Sequence, residues 1–204
     1  MTVLLRRCFG VARRTGRVIP GHVRAALLVG FVTLGAAAPS ARVAPATVVL
    51  LVRHAEKAPG AGDVPLSDVG RVRAQVLAQV GQRAGAGAII TTQFARTRET
   101  ASTLASEAGI VPDVVAAQSD VARHAADVAT AVRRHTGKVV LVVGHSNTIP
   151  SIVSALGGTK YPDLCDAEYD ALFTVVLDDE GAARTIRSRY GAATPVGSDC
   201  RAMR

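Results

Sequence analysis

Two histidines stand directly behind apolar runs. LVRHAEK (51–57) places Arg53 and His54 after TVVLLV, and VVGHSN (142–147) places His145 after KVVLVV. A third run, AIITT (88–92), leads into QFARTRETA, which carries Arg96. One histidine after a strand is more often a hydrogen-bonded structural residue, and one arginine near a helix start a solvated or capping one. Four converging from three strand ends are harder to dismiss, because two guanidinium groups and two imidazoles with no acid between them repel unless an anion sits among them. Guanidinium forks match phosphate oxygens, and helix N-termini near Arg96 and Asn147 would add backbone donors. A neutral imidazole can attack phosphorus and hold the phosphoryl group as an N–P intermediate, while flanking cations stabilise the equatorial oxygens. That chemistry calls for no cofactor and no metal. The chain has no HExxH pair, and Cys165 and Cys200 are too isolated to frame a zinc site.

The elements between these residues must bring them to one edge. TVVLLV (47–52), AIITT (88–92) and KVVLVV (138–143) read as buried strands. Helical patterns run over 67–82 with Ser67 as cap, from about Arg96 to Ala108, over 120–135, and over 147–158 before a pair of glycines. VPDVVAA (111–117) suits an edge strand because Pro112 cannot donate to a ladder. ALFTVVLD and ARTIRSRY, joined by Asp-Glu-Gly, predict a closing hairpin. The fold class expected is α/β: a single-domain three-layer sandwich, its mostly parallel sheet covered by helices on both faces. Ligands of such sheets bind beyond the carboxyl ends of the strands, where Arg53-His54, Thr92 to Arg96, and Gly144-His145 all fall.

The 204 residues carry a formal charge of +8 and 49% hydrophobic residues, a globular composition. The charge is uneven. Residues 1–44 hold seven arginines and no acid, so the remaining 17 of the 24 Lys and Arg face all 16 Asp and Glu, a net of +1. A nearly neutral body with 3% aromatics argues against nucleic acid as a partner. A basic stretch to Arg24, the apolar AALLVGFVTLGAAA (25–38) and a small-residue tail have the layout of a secretory signal peptide, with cleavage between Ala36 and Ala46. The apolar run is too short to span a bilayer. The expectation is therefore an exported domain over 45–204, periplasmic or extracellular, with no stable membrane span after cleavage. An N-terminal helix packed on the domain is the bland alternative. Export would leave Cys165 and Cys200 as a pair free to form a disulfide or to stay as thiols.

LVRHAEK, TTQFARTRETA and VVGHSN together resemble, in order and spacing, the histidine phosphatase superfamily, also called the phosphoglycerate-mutase-like family, over roughly residues 47–190. The resemblance implies that His54 is the phosphorylated nucleophile and that Arg53, Arg96 and His145 bind the phosphate; Asn147, at the helix start beyond His145, is a further candidate contact. PLSDVG (65–70) resembles the start of the family's first helix. Departures are equally visible. Many members read R-H-G-[EQ]-[ST] with an asparagine soon after, whereas Ala55, Lys57 and Gly60 stand there. The mutase-type glutamate donor has no counterpart after Glu107, and Ser146 replaces the aspartate of longer acid phosphatases. The general acid is thus open among Asp120, Glu56 and Asp170. Lys57 extends the cationic rim or is a solvated lysine, and Ser146 or Asn147 caps the helix that follows. His124 and His135 read as surface residues.

The implied activity is hydrolysis of a small phosphate monoester through phospho-His54. Phosphohistidine hydrolysis, mutase-like phosphoryl transfer, and a catalytically silent phosphate-binding module remain as alternatives. Substrate and oligomeric state are not legible in the sequence.

Overall fold

The computed structural model describes residues 45–194, and the expected leader (1–44) and Cys200 lie outside them. The elements run β1 (Thr47–Arg53), α1 (Asp68–Arg83), β2 (Ala86–Thr91), α2 (Ala95–Ala108), β3 (Asp113–Val114), α3 (Val121–Arg133), β4 (Val139–Gly144), α4 (Thr148–Ala155), β5 (Ala171–Leu177) and β6 (Ala183–Arg189). They form one sheet in the order β3-β2-β4-β1-β5-β6. The first four strands are parallel, and β5 and β6 close the other side as an antiparallel hairpin.

The continuous apolar runs follow from burial on both faces. Side chains alternate across a strand. Val49, Leu51, Val140 and Val142 therefore face α3 and α4, while Leu50, Val52, Leu141 and Val143 face α1 and α2. This is the three-layer α/β sandwich expected from the sequence. Full burial of one such side chain stabilises the fold by about 1.5–3 kcal/mol, so the two cores outweigh any surface term.

Register then sets the site. Val52 pairs with Val143 and Arg53 with Gly144, and the His54 amide donates to the Gly144 carbonyl at 2.9 Å. The two strands end flush, so the histidines that follow them are neighbours. Gly144 has no room for a side chain, since a Cβ there would lie 2.9 Å from both Ile149 Cδ1 and Thr148 Oγ1.

The segment after His54 is clamped from two helices. Ser67 caps α1 as expected, accepting from the Gly70 amide, and its own amide donates to the Glu56 carbonyl at 2.9 Å. Gly70 packs so tightly that a Cβ would sit 2.1 Å from that carbonyl oxygen. From α2, Thr100 Oγ1 accepts the Ala55 amide at 2.9 Å and Glu99 accepts the Leu66 amide at 2.8 Å. The TTQFARTRETA stretch thus supplies a clamp as well as an arginine.

Three expectations need correction. β3 is only two residues long, though it is an edge strand. α4 ends at Ala155, before Gly157 at φ 90° and Gly158. His124 is fully buried, because it lies on the apolar stripe of α3 with Ala125, Val128 and Val132; His135 remains near the surface, with Nε2 2.9 Å from Asp113. Among the described residues no helix is long and apolar enough to cross a membrane.

Candidate active site

A cavity of about 340 Å³ opens at the carboxyl edge of the sheet, lined by Arg53, His54, Lys57, Gly62, Arg96, His145, Ser146 and Asn147. All four residues singled out by type and spacing meet there. The His54 and His145 ring centroids are 5.5 Å apart. No carboxylate is among the lining residues.

His54 is held by its own chain. Its Nδ1 lies 2.8 Å from the Ala55 carbonyl, which can only accept, so Nδ1 carries the proton and Nε2 keeps its lone pair. Burial, joined by the charges of Arg53, Arg96 and Lys57, lowers its pKa to about 4 and outweighs the hydrogen bond to Ala55. His145 is pushed down to about 3 by burial and by His54, Arg96, His124 and Arg53. Both imidazoles are neutral near neutral pH, which leaves the first as a nucleophile.

Arg53 has an anchoring task that its sequence position did not announce. Its Nη1 donates to the carbonyls of Cys165 at 2.8 Å, Asp166 at 2.9 Å and Glu168 at 3.3 Å, and its Nη2 to Tyr169 Oη at 3.3 Å. The guanidinium also lies over the Tyr169 ring, 4.1 Å from its centroid. These contacts pin the long connection between α4 and β5 to the end of β1. The Arg53 Nε–H is buried without a partner. A buried unpaired donor on a cation costs roughly 1–3 kcal/mol or more.

Arg96 stacks on Phe94, 4.3 Å from the ring centroid, and the Phe94 and His145 rings meet nearly perpendicular with centroids 5.5 Å apart. Burial lowers the Arg96 pKa, partly offset by Asp63, whose Oδ1 is 3.8 Å away. Asp63 also accepts the Ala95 amide at 2.7 Å, so it caps α2 from a distant loop where the N-cap residue Phe94 cannot. That amide and those of Thr148 and Ile149, which donate to the His145 carbonyl, are spent inside the fold. The helix starts therefore offer fewer free donors than expected.

The three candidates for a general acid all stand elsewhere. Glu56 points away from the cavity into a buried ion pair with Arg73, at 3.0 Å from Nε and 2.7 Å from Nη2. Arg73 completes the lock by donating to the Tyr190 carbonyl at 3.1 Å. Asp120 is the N-cap of α3, accepting from the Arg123 amide at 3.0 Å. Asp170 is fully buried; burial pushes its pKa up, but hydrogen bonds from Thr194 and Arg189 prevail and hold it low. Each is committed to structure. Asn147 occupies the cap position of α4, yet its side chain makes no capping bond, while Thr148 Oγ1 accepts the His145 amide at 2.9 Å. Asn147 and Ser146 line the cavity instead. Lys57 also lines it, with one long bond of 3.4 Å to the Gly60 carbonyl.

Tyr169 and Asp63 were not anticipated at the site. A hint lay in the long connection without regular structure before β5, since such loops in compact domains are usually functional. Cys165, the cysteine within 45–194, is disulfide-bonded; Cys200, for which a bond to Cys165 was one of two alternatives, lies outside the described residues. No group of three or more His, Cys, Asp or Glu among the described residues could hold a metal ion.

Comparison with known proteins agrees with the fold. Residues 49–120 match the model of the histidine phosphatase superfamily (branch 1), as the resemblance in the sequence implied. No curated protein matches the chain by sequence. Among solved structures, the protein histidine phosphatase SixA complexed with tungstate is 20% identical, with a TM-score of 0.55 over 70% of this chain and 96% of that one. A mycobacterial glucosyl-3-phosphoglycerate phosphatase is 16% identical, with a TM-score of 0.54 over 72% and 100% of the two chains. The phosphoserine phosphatase of Entamoeba histolytica, in complex with 3-phosphoglyceric acid, is 13% identical, with a TM-score of 0.53 over 72% and 98%. At such identities the likeness is one of fold.

Proposed function

We propose that this chain, which has the histidine phosphatase fold and the superfamily's pattern over residues 49–120, hydrolyses a small phosphorylated substrate through a phosphohistidine formed on His54. One observation carries the reading: two neutral imidazoles and three cationic side chains share a cavity that no carboxylate lines. An anionic ligand would balance the charge that the Arg96–Asp63 contact leaves uncompensated. The His54 Nε2 lone pair attacks phosphorus, the bond from phosphorus to the leaving group breaks, and the phosphoryl group is held as an N–P adduct. Water then attacks phosphorus, the N–P bond breaks, and phosphate leaves. Arg96, Arg53 and His145 stabilise the oxygens throughout.

A second reading draws on the missing acid. With Glu56, Asp120 and Asp170 committed elsewhere, a leaving group that departs without a proton from a carboxylate is favoured, as in phosphoramidates such as phosphohistidine, acyl phosphates and aryl phosphates. The name of SixA, a protein histidine phosphatase, is consistent with that substrate class. Rapid-quench kinetics on p-nitrophenyl phosphate test the proposal. A burst of nitrophenol near one equivalent per protein in the wild type, and none in His54→Ala, is expected. Turnover retained by His54→Ala would refute it.

A further inference from the structure

The Thr92 hydroxyl is 3.2 Å from His145 Nε2 and 2.9 Å from Thr97 Oγ1. Counting protons along this chain fixes its direction. Thr97 Oγ1 lies 2.8 Å from the Phe94 carbonyl and 3.1 Å from the Thr92 carbonyl, and both can only accept. The one hydroxyl proton of Thr97 must therefore point at those oxygens, which would otherwise repel it. Thr92 is then the donor to Thr97, and its own proton is used. What remains on Thr92 toward the ring is a lone pair, so His145 Nε2 must be the donor. A neutral imidazole carries one N–H. Nδ1 of His145 is consequently bare, and it has no hydrogen-bond partner among the described residues of the cavity.

We propose that Thr92 is a positioning residue that locks His145 as the Nε2–H tautomer, so that Nδ1 takes up a proton when an oxyanion enters the cavity. The inference rests on reading the cavity as an oxyanion site. A bare Nδ1 lone pair facing a dianion is repulsive, whereas a proton taken from solvent onto Nδ1 makes a charge-assisted bond to the anion. The charged or titratable groups facing this ring are His54 and Arg53 at the end of β1, Arg96 at the start of α2 and His124 of α3, with Lys57 on the same cavity. None is an acid, so the ring waits neutral until an anion arrives. The two histidines are thereby held in opposite tautomers. His54, with Nδ1–H fixed on Ala55, keeps Nε2 for covalent chemistry; His145, with Nε2–H fixed on Thr92, keeps Nδ1 for the proton.

Tungstate is a suitable probe, because the dianion brings no proton of its own near neutral pH. In the ligand-free full chain labelled with ¹⁵N-histidine, NMR should show His145 as the Nε2–H tautomer, and as the doubly protonated imidazolium once tungstate is added. Calorimetry in buffers of different ionisation heat should report about one proton taken up per tungstate, and affinity should fall about tenfold per pH unit over pH ~6.5 to ~8. Thr92→Val, of nearly the same shape, should abolish the pH slope by freeing the ring to flip; Thr92→Ser should keep it. A packing role alone would leave slope and tautomer unchanged. An Nδ1–H tautomer in the wild type, or tungstate binding without proton uptake, overturns this inference and leaves the oxyanion cavity standing. No tungstate binding at all defeats both. If Thr92→Val does not fold, the two wild-type measurements decide.

Discussion

Lowering the pH should unfold this protein through its two site histidines. Each ring takes its proton near 6.5 in an unfolded chain, whereas folded His54 resists to about 4 and His145 to about 3. Between those values the unfolded chain binds more protons. Each histidine's contribution to stability is therefore full above 6.5 and lost as the pH falls below it. At pH ~5 the loss is set by the unfolded value alone. About 1.5 pH units at about 1.36 kcal/mol each give roughly 2 kcal/mol per ring, and native values of about 4 and about 3 leave that figure nearly unchanged. The two rings together cost about 4 kcal/mol, a large share of the ~5–15 kcal/mol that holds a domain folded. His124, also lowered by burial, adds in the same direction. Urea denaturation of the ligand-free protein at pH ~7.5 and ~5 measures the difference. His54→Gln and His145→Gln should each remove roughly 2 kcal/mol of the acid-induced loss. An undiminished loss in both variants would show that neither ring is held neutral by the fold.

Glu56→Gln should cost about 3 kcal/mol by leaving Arg73 buried without its carboxylate, as urea denaturation would show. The same variant should keep the burst on p-nitrophenyl phosphate in its folded fraction; loss of the burst with stability intact would return Glu56 to an acid role. Gly70→Ala forces a Cβ against the Glu56 carbonyl and should cost about 1–3 kcal/mol while lowering kcat, because the segment displaced follows His54. Expression of the full chain in a bacterial host should give an exported form beginning between residues 36 and 46; an N-terminus still at Met1 in the exported fraction, or no export, contradicts the leader.

Residues that act through backbone register were legible in the sequence. The valine-rich run and TVVLLV fix two buried strands by composition, and Arg53-His54 and Gly144-His145 follow them at once, so pairing alone makes the histidines neighbours. Ser67 was readable as a cap because capping is local. Contacts between side chains and distant backbone were not. Glu56 beside the nucleophile looks catalytic until Arg73, from the next helix, claims it. Nothing local links Asp63 to the Ala95 amide or Arg53 to the carbonyls of 165, 166 and 168. His124 differs: its spacing places it on the apolar stripe of α3, and there periodicity outranks the polarity of the side chain.

The position of the phosphoryl group on the ring tests the account most directly. His54 Nδ1 is engaged with the Ala55 carbonyl, so only Nε2 can attack. Phosphoenzyme formed from p-nitrophenyl phosphate, quenched in alkali and resolved by ³¹P NMR and peptide mass spectrometry, should carry Nε2-phosphohistidine at residue 54. The Nδ1 isomer, phosphate on another residue, or no phosphoenzyme during turnover would contradict it.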